Sequence, residues 1–338
     1  MKCQPRLGLA LVMVACGIIP LGAQNKLQLT ERDVIPISGQ RSSPTLDPIK
    51  CDTAGNIFVR FAQVQLLAAP IITITPSGER AASFSIGSDL ENRGGTISDF
   101  SPAEDGGMYA LSTSSAGFKI LHFSKDGRVA SATQLDLQRA IDLKQFVALP
   151  DGKFFLRGTT APTAGKREGD PFNMIVDDQG ELLREVTFPE DSTPRLKNKK
   201  NKQGDAAEES NAPVAFGKAS LGDDGNIYIM RSSSPVLFFV VSPAGELIRK
   251  LKVSSPIRNG GAQMFEVRKG RLAIEFLRLA TGDGPPEEVY RVVNTGNGQP
   301  LFDYVPVRGR GGWACYDGDE FTFLGAENRQ EVIVREAP

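Results

Sequence analysis

A glycine-centred turn followed by a β-rich run recurs six times, and this restricts the chain more than any other feature. The first three copies read Ala54-Gly55-Asn56-Ile57-Phe58-Val59, Asp105-Gly106-Gly107-Met108-Tyr109-Ala110 and Asp151-Gly152-Lys153-Phe154-Phe155-Leu156. The others are Asp224-Gly225-Asn226-Ile227-Tyr228-Ile229, Lys269-Gly270-Arg271-Leu272-Ala273-Ile274 and Asp317-Gly318-Asp319-Glu320-Phe321-Thr322. A second set of turns alternates with them, at Pro76-Ser77-Gly78, Lys125-Asp126-Gly127, Asp178-Gln179-Gly180, Pro243-Ala244-Gly245 and Gly296-Asn297-Gly298. Tight hairpin turns need a positive φ, which glycine adopts without strain and Asp or Asn tolerates. Runs such as Val236 to Val241 are β-branched and aromatic, and too short for helices. Each repeat therefore reads as two hairpins.

The first-turn glycines step by 51, 46, 73, 45 and 48 residues. Four strands in about 48 residues is the signature of a propeller blade. The expectation is an all-β, six-bladed β-propeller over residues 25–338. Two β-sandwiches are the alternative, but they do not require turns paired so regularly. The sixth repeat ends after Glu331-Val332-Ile333-Val334 without a second glycine turn or a fourth strand. The strand-like stretch Leu27 to Ile37 is unassigned, so it is predicted to supply the outer strand of the last blade. That closure hides sheet edges that a ring would otherwise leave open at its seam.

These repeats, with a core such as Asp224-Gly225-Asn226-Ile227-Tyr228-Ile229 and a following Ser242-Pro243-Ala244-Gly245-Glu246-Leu247 turn, resemble the NHL-repeat and TolB-like six-bladed propellers. The likeness spans nearly the whole chain after its first segment and implies a fold rather than a chemistry. After the core the chain runs Met230-Arg231-Ser232-Ser233, where NHL repeats carry Asp and Arg-Ile elements. Propellers host binders and enzymes alike.

Residues 1–24 have the parts of a secretory signal peptide in order: Lys2 and Arg6, the apolar run Leu7 to Cys16, and small residues ending at Gly22-Ala23-Gln24. Cleavage after Ala23 or Gln24 and export, secreted or periplasmic, are expected. Val14-Ala15-Cys16-Gly17 loosely resembles a lipoprotein box, which leaves lipid anchoring at Cys16 as a second route. No later stretch is long enough to span a membrane. The long 73-residue step contains an insertion at 191–212, a basic cluster (Arg195, Lys197, Lys199, Lys200, Lys202) followed by an acidic one (Asp205, Glu208, Glu209). With almost no apolar residues to bury, it is expected to form a mobile polar loop between blades 3 and 4.

Once the leader is removed, Cys51 and Cys315 are the remaining cysteines. Both precede a first glycine turn, in the innermost strands of blades 1 and 6. Counted back from that glycine they differ by one residue, and in a strand a one-residue offset reverses the side chain. They therefore either face each other across the seam or both face away. An exported compartment permits a disulfide, and two buried thiols are the alternative.

Charge is balanced, 39 Lys+Arg against 40 Asp+Glu, which argues against nucleic acid as a partner. No G-x-S-x-G elbow, C-x-x-C, EF-hand loop or P-loop occurs, so no cofactor is expected. His122 is the sole imidazole and lies in a strand that is not innermost. Gly-rich Arg308-Gly309-Arg310-Gly311-Gly312 reads as an inter-blade loop. Phe100, Phe146, Phe265 and Trp313 fall at near-equivalent inner-strand positions, which suits packing between blades.

Inner strands start at the mouth of the central channel, where propeller ligands commonly bind. Seven or eight residues before each turn glycine stand Asp47, Asp99, Gln145, Lys218, Gln263 and Arg310. Six-bladed propeller lactonases hold a divalent ion at this place with carboxylates and amides. Here two cations share the ring with two carboxylates and two amides, and a hard cation wants several oxygen ligands. Two readings follow. One is a monomeric, exported scaffold that binds a protein or small polar ligand at the mouth. The other is a metal-assisted lactonase or hydrolase using Asp47, Asp99, Gln145 and Gln263.

Overall fold

The computed structural model describes residues 26–62, 69–85, 95–137, 141–161, 169–188, 218–280, 286–307 and 311–338. The expected leader at 1–24, the insertion at 191–212 and Arg310 lie outside the described residues. Within them the chain forms six sheets arranged as a six-bladed propeller. A two-residue strand comes first, β1 (Leu27–Gln28), followed by the long β2 (Thr30–Arg41).

Blade 1 then runs outward through β3 (Thr45–Cys51), β4 (Ile57–Phe61), β5 (Ile71–Ile74) and β6 (Arg80–Phe84). Blade 2 is β7 (Thr96–Pro102), β8 (Met108–Ser114), β9 (Gly117–Phe123) and β10 (Val129–Leu135). Blade 3 comprises β11 (Ile141–Ala148), β12 (Phe154–Thr160), β13 (Pro171–Val176) and β14 (Leu182–Glu185). In blade 4 the strands are β15 (Ala219–Leu221), β16 (Ile227–Arg231), β17 (Val236–Val241) and β18 (Leu247–Val253). Blade 5 holds β19 (Gly261–Arg268), β20 (Arg271–Arg278), β21 (Glu287–Asn294) and β22 (Pro300–Val305). Blade 6 contributes β23 (Gly312–Tyr316), β24 (Phe321–Glu327) and β25 (Gln330–Ala337).

The last blade is completed by β2, which pairs antiparallel with β25, Val34 opposite Val334 and Ile35 opposite Ile333. The first residues do something the sequence did not suggest. Leu27 and Gln28 pair parallel to β22, so β1 adds a fifth strand to blade 5 before the chain crosses to blade 6. The N-terminal segment thus straps two blades.

Second-turn glycines explain how neighbouring blades dock. A Cβ at Gly127 in blade 2 would meet Ser83 O of the outer strand of blade 1, and one at Gly180 in blade 3 would meet Gln134 O of blade 2. Gly78 in blade 1 stands in the same relation to Pro36 O, on β2. The N-terminal strand therefore occupies the place that an ordinary fourth strand takes elsewhere, and Ser38 N–H donates to Gly78 O at 2.9 Å.

The core is divided into six apolar clusters, one at each blade interface. Phe58, Phe84, Phe100 and Phe123 fill the space between blades 1 and 2, and Phe146, Phe154 and Leu156 that between 2 and 3. Phe155 and Phe239 pack between blades 3 and 4, Phe238 and Phe265 between 4 and 5. Tyr290, Trp313 and Phe323 pack between 5 and 6, and Ile37, Val59 and Ile333 across the seam between 6 and 1. Burying one such side chain contributes about 1.5–3 kcal/mol, so cohesion lies between blades and leaves the axis free for polar groups. The inner-strand aromatics Phe100, Phe146, Phe265 and Trp313 are all buried in these interfaces. Among the described residues, no helix is long and apolar enough to cross a membrane.

Candidate functional site

The inner strands of blades 1 to 5 line a cavity of about 400 Å³ on the ring axis. Its polar groups fall into two tied sets and a remainder. Lys50 on β3 places Nζ 2.8 Å from Asp99 Oδ1 on β7. The ammonium also sits over the rings of Phe100 and Phe146, 5.7 and 5.8 Å from their centroids. Asp99 is further engaged: Phe100 N–H donates to Oδ1 at 2.8 Å and Phe146 N–H to Oδ2 at 3.0 Å. Blades 1, 2 and 3 are joined at one buried carboxylate.

The second set joins blades 5, 6 and 1. Tyr316 N–H on β23 donates to the Glu266 carboxylate on β19. Arg268 Nη2, two residues on, donates to Cys51 O of blade 1 at 3.2 Å. Burial pushes the Glu266 carboxyl up to about 7, against the pull of Arg268 and the Tyr316 amide. Beside these bonds, Cys51 and Cys315 face each other across the seam with their Cα atoms 5.9 Å apart, a separation suited to a disulfide.

The remainder includes Asp47, which is exposed, Gln145 and Lys218, with Glu104 exposed just beyond β7. Lys218 begins the inner edge of blade 4, and burial lowers its ammonium pKa, with Asp47 and then Glu275 pulling the other way. Among the described residues, no side-chain hydrogen bond or ion pair engages Asp47 or Lys218. Gln145 Oε1 is buried and has no hydrogen-bond partner. Glu275 on β20, behind the inner strand of blade 5, is pushed up to about 7 by burial and by the nearby Glu288.

Of the positions expected at the mouth, Asp47, Asp99, Gln145 and Lys218 line the cavity and come together. Gln263 does not. It is exposed, and the register shifts between Ala262 and Met264, so Gln263 is the extra residue of a bulge. Counting from the turn glycine fails here because turn length varies. Asp99, Gln145 and Met264 stand opposite Leu111, Arg157 and Glu275 in their hairpins. By that pairing, Met264 in blade 5 and Gly312 in blade 6, opposite Leu324, occupy the equivalent positions.

Lys50, Glu266 and Arg268 were missed by counting back to the strand starts. A signal existed: Lys50 and Glu266 are single charges amid apolar residues in innermost strands, in Pro48-Ile49-Lys50-Cys51 and Met264-Phe265-Glu266-Val267. His122 lies away from the cavity, on β9. Its Nε2 is 3.1 Å from Asp105 Oδ2, and its ring stacks on Tyr109 with centroids 4.5 Å apart. Among the described residues, no three His, Cys, Asp or Glu side chains converge as a metal-binding group.

The fold has counterparts among solved structures, two of them with TM-scores above 0.5. A luciferin-regenerating enzyme is 11% identical, with a TM-score of 0.52 over 90% of this chain and 95% of that one. A member of the DUF4221 family from Bacteroides vulgatus is 10% identical, with a TM-score of 0.55 over 93% and 98% of the two chains. A Bacteroides caccae protein of unknown function is 13% identical, with a TM-score of 0.45 over 76% and 80%. At these identities the likeness is one of fold alone. No family model matches the sequence, and no curated protein does.

Proposed function

We propose that this chain is an exported binding propeller whose central cavity holds a small polar ligand. The observation that carries this reading is a channel of about 400 Å³ in which Lys218, Asp47 and Gln145 Oε1 remain without protein partners among the described residues. Ligand sites are typically concave, about 300–1,000 Å³, with a few convergent polar groups. Groups that only held the ring together would be paired, as Lys50, Asp99 and Glu266 are.

A metal-assisted lactonase reading draws less support. It requires Asp99 as a ligand, yet both Asp99 oxygens already accept hydrogen bonds, and Lys50 contacts one of them. Lys50 and Lys218 both line the cavity and oppose a second cation there. The enzyme name carried by one fold neighbour adds nothing at 11% identity.

Thermal-shift screening of small polar metabolites tests the binding reading, on the wild-type chain and on Ser220→Trp, which plugs the cavity from β15. A compound that stabilises the first and not the second supports it. Compounds that stabilise both equally would place the ligand elsewhere and overturn it. For export, expression in a secreting host with intact-mass analysis decides. A chain starting at residue 24 or 25 supports free release, one starting at a lipidated Cys16 replaces it with an anchor, and an uncleaved intracellular chain removes export.

A further inference from the structure

We infer that the ligand of this cavity is a small zwitterion, carrying a carboxylate for Lys218 and an ammonium for Asp47 and Gln145. The inference rests on the binding reading above and narrows its ligand to one chemical class.

It follows from what is left over once every paired group is set aside. Lys50 is held by Asp99, Lys144 by Asp142, Glu266 by Tyr316 N–H and Arg268 by Cys51 O. Apart from Glu104, an exposed carboxylate just beyond β7, the residual set is one half-buried cation (Lys218), one exposed anion (Asp47) and one buried neutral acceptor (Gln145). Asp47 belongs to blade 1 and Lys218 to blade 4, which stand opposite each other in a six-membered ring. Asp47 pulls the Lys218 pKa upward, but no ion pair joins the two among the described residues, so a gap separates opposite charges across the axis.

A simple anion would satisfy Lys218 but share the cavity with the carboxylates of Asp47 and Glu104. A simple cation would satisfy Asp47 but leave Lys218 opposing it. A molecule with both charges is attracted at both ends, more strongly at half-buried Lys218 than at exposed Asp47. Gln145, on the blade beside Lys218, supplies an acceptor that can only be satisfied by a donor such as the ligand's N–H. The partial burial that depresses the Lys218 pKa also means its charge gains from a carboxylate that replaces lost water. Free amino acids are the smallest members of the class, and the volume suits them.

The test is calorimetric titration and thermal shift of the full chain with glycine, β-alanine and 4-aminobutyrate. Acetate, butyrate, ethylamine and butylamine serve as single-charge counterparts. The expected result is binding by at least one zwitterion, with the single-charge compounds at least tenfold weaker. Asp47→Asn and Lys218→Met should each weaken that zwitterion at least tenfold. Because neither side chain pairs with the protein among the described residues, Asp47→Asn should melt as the wild type does without ligand, and Lys218→Met no lower, since it removes a partly buried charge. Equal binding of an acid or an amine alone, or unchanged affinity in Lys218→Met, would overturn the inference. If no zwitterion binds but a neutral compound does, and Ser220→Trp blocks it, the zwitterion class is lost while the binding reading stands. If nothing small and polar binds in the cavity, both fall.

Discussion

Lys50 Nζ and Asp99 Oδ1 lie 2.8 Å apart and join the inner strands of blades 1 and 2 at the channel. Asp99 is only 4% exposed and also accepts two backbone amides, one of them from blade 3. Removing one partner of such a pair leaves the other charge buried and unpaired, which typically costs about 3–5 kcal/mol. Because Lys50 keeps some exposure, Asp99→Ala should lose about 2–4 kcal/mol in a urea melt. Lys50→Met should lose less, since Asp99 keeps its two amide donors. A loss below about 1 kcal/mol for Asp99→Ala would class the pair with weak surface ion pairs.

The seam between blades 6 and 1 carries the second prediction. Cys51 and Cys315 are separated by 264 positions in sequence, and their bond would close almost the whole ring. Cross-links of this span constrain the unfolded chain by a nominal amount on the order of 5 kcal/mol, and often deliver less. Pairing of β2 with β25 also ties the ends, so the double variant Cys51→Ala/Cys315→Ala should lose about 2–4 kcal/mol. Titration with a thiol reagent under denaturing conditions should find neither thiol free until a reductant is added. Two free thiols, or a melt indifferent to reductant, would show that the seam is held by strand pairing and packing alone.

The architecture was readable because turn glycines and β-rich runs are local signals, and the missing fourth strand of blade 6 was visible as a deficit at the chain end. The role of Leu27 and Gln28 was not readable. A two-residue parallel pairing with β22 leaves no periodicity to detect. Blades 1 to 4 share one turn length, so counting seven or eight residues back from the turn glycine reaches cavity-lining residues in each, Asp47, Asp99, Gln145 and Lys218. Gln263 was misplaced because the hairpin of blade 5, where Val267 faces Leu272, is one residue shorter than that of blade 1, where Cys51 faces Ile57. The pairing of Lys50 with Asp99 depends on which residues meet between neighbouring inner strands, a long-range fact that local patterns do not encode.

Glu266 gives a prediction in pH. Its carboxyl has an ordinary value of 4.5 and is pushed up to about 7 in the folded protein, chiefly by burial. Between those values the folded chain holds a proton that the unfolded chain has released. Stability from this group is therefore greatest below about 4.5 and is lost as pH rises towards 7. Glu266→Gln keeps an oxygen to accept the Tyr316 amide but cannot ionise. Relative to wild type it should gain about 1–3 kcal/mol at pH 8 and nothing at pH 4.5. Glu275 titrates over the same range in both proteins, so the difference between them isolates Glu266. A variant no more stable than wild type at pH 8 would contradict the burial of this charge.

Two glycines with the same backbone twist separate strain from docking. Gly225 has φ +75° and open space where a Cβ would stand, whereas Gly78 has φ +82° and Pro36 O only 2.4 Å from that point. Alanine at Gly225 should cost only the left-handed backbone penalty, about 1–2 kcal/mol. At Gly78 the methyl group must also displace the backbone of β2, the strand that completes blade 6. Gly78→Ala should therefore cost more than Gly225→Ala by about 1–3 kcal/mol. The strain should also loosen the N-terminal strap, so limited proteolysis should cut within residues 26–41 faster in Gly78→Ala than in Gly225→Ala. Equal losses and equal cleavage in the two variants would mean that β2 yields at no cost, and that ring closure does not depend on its contact with blade 1.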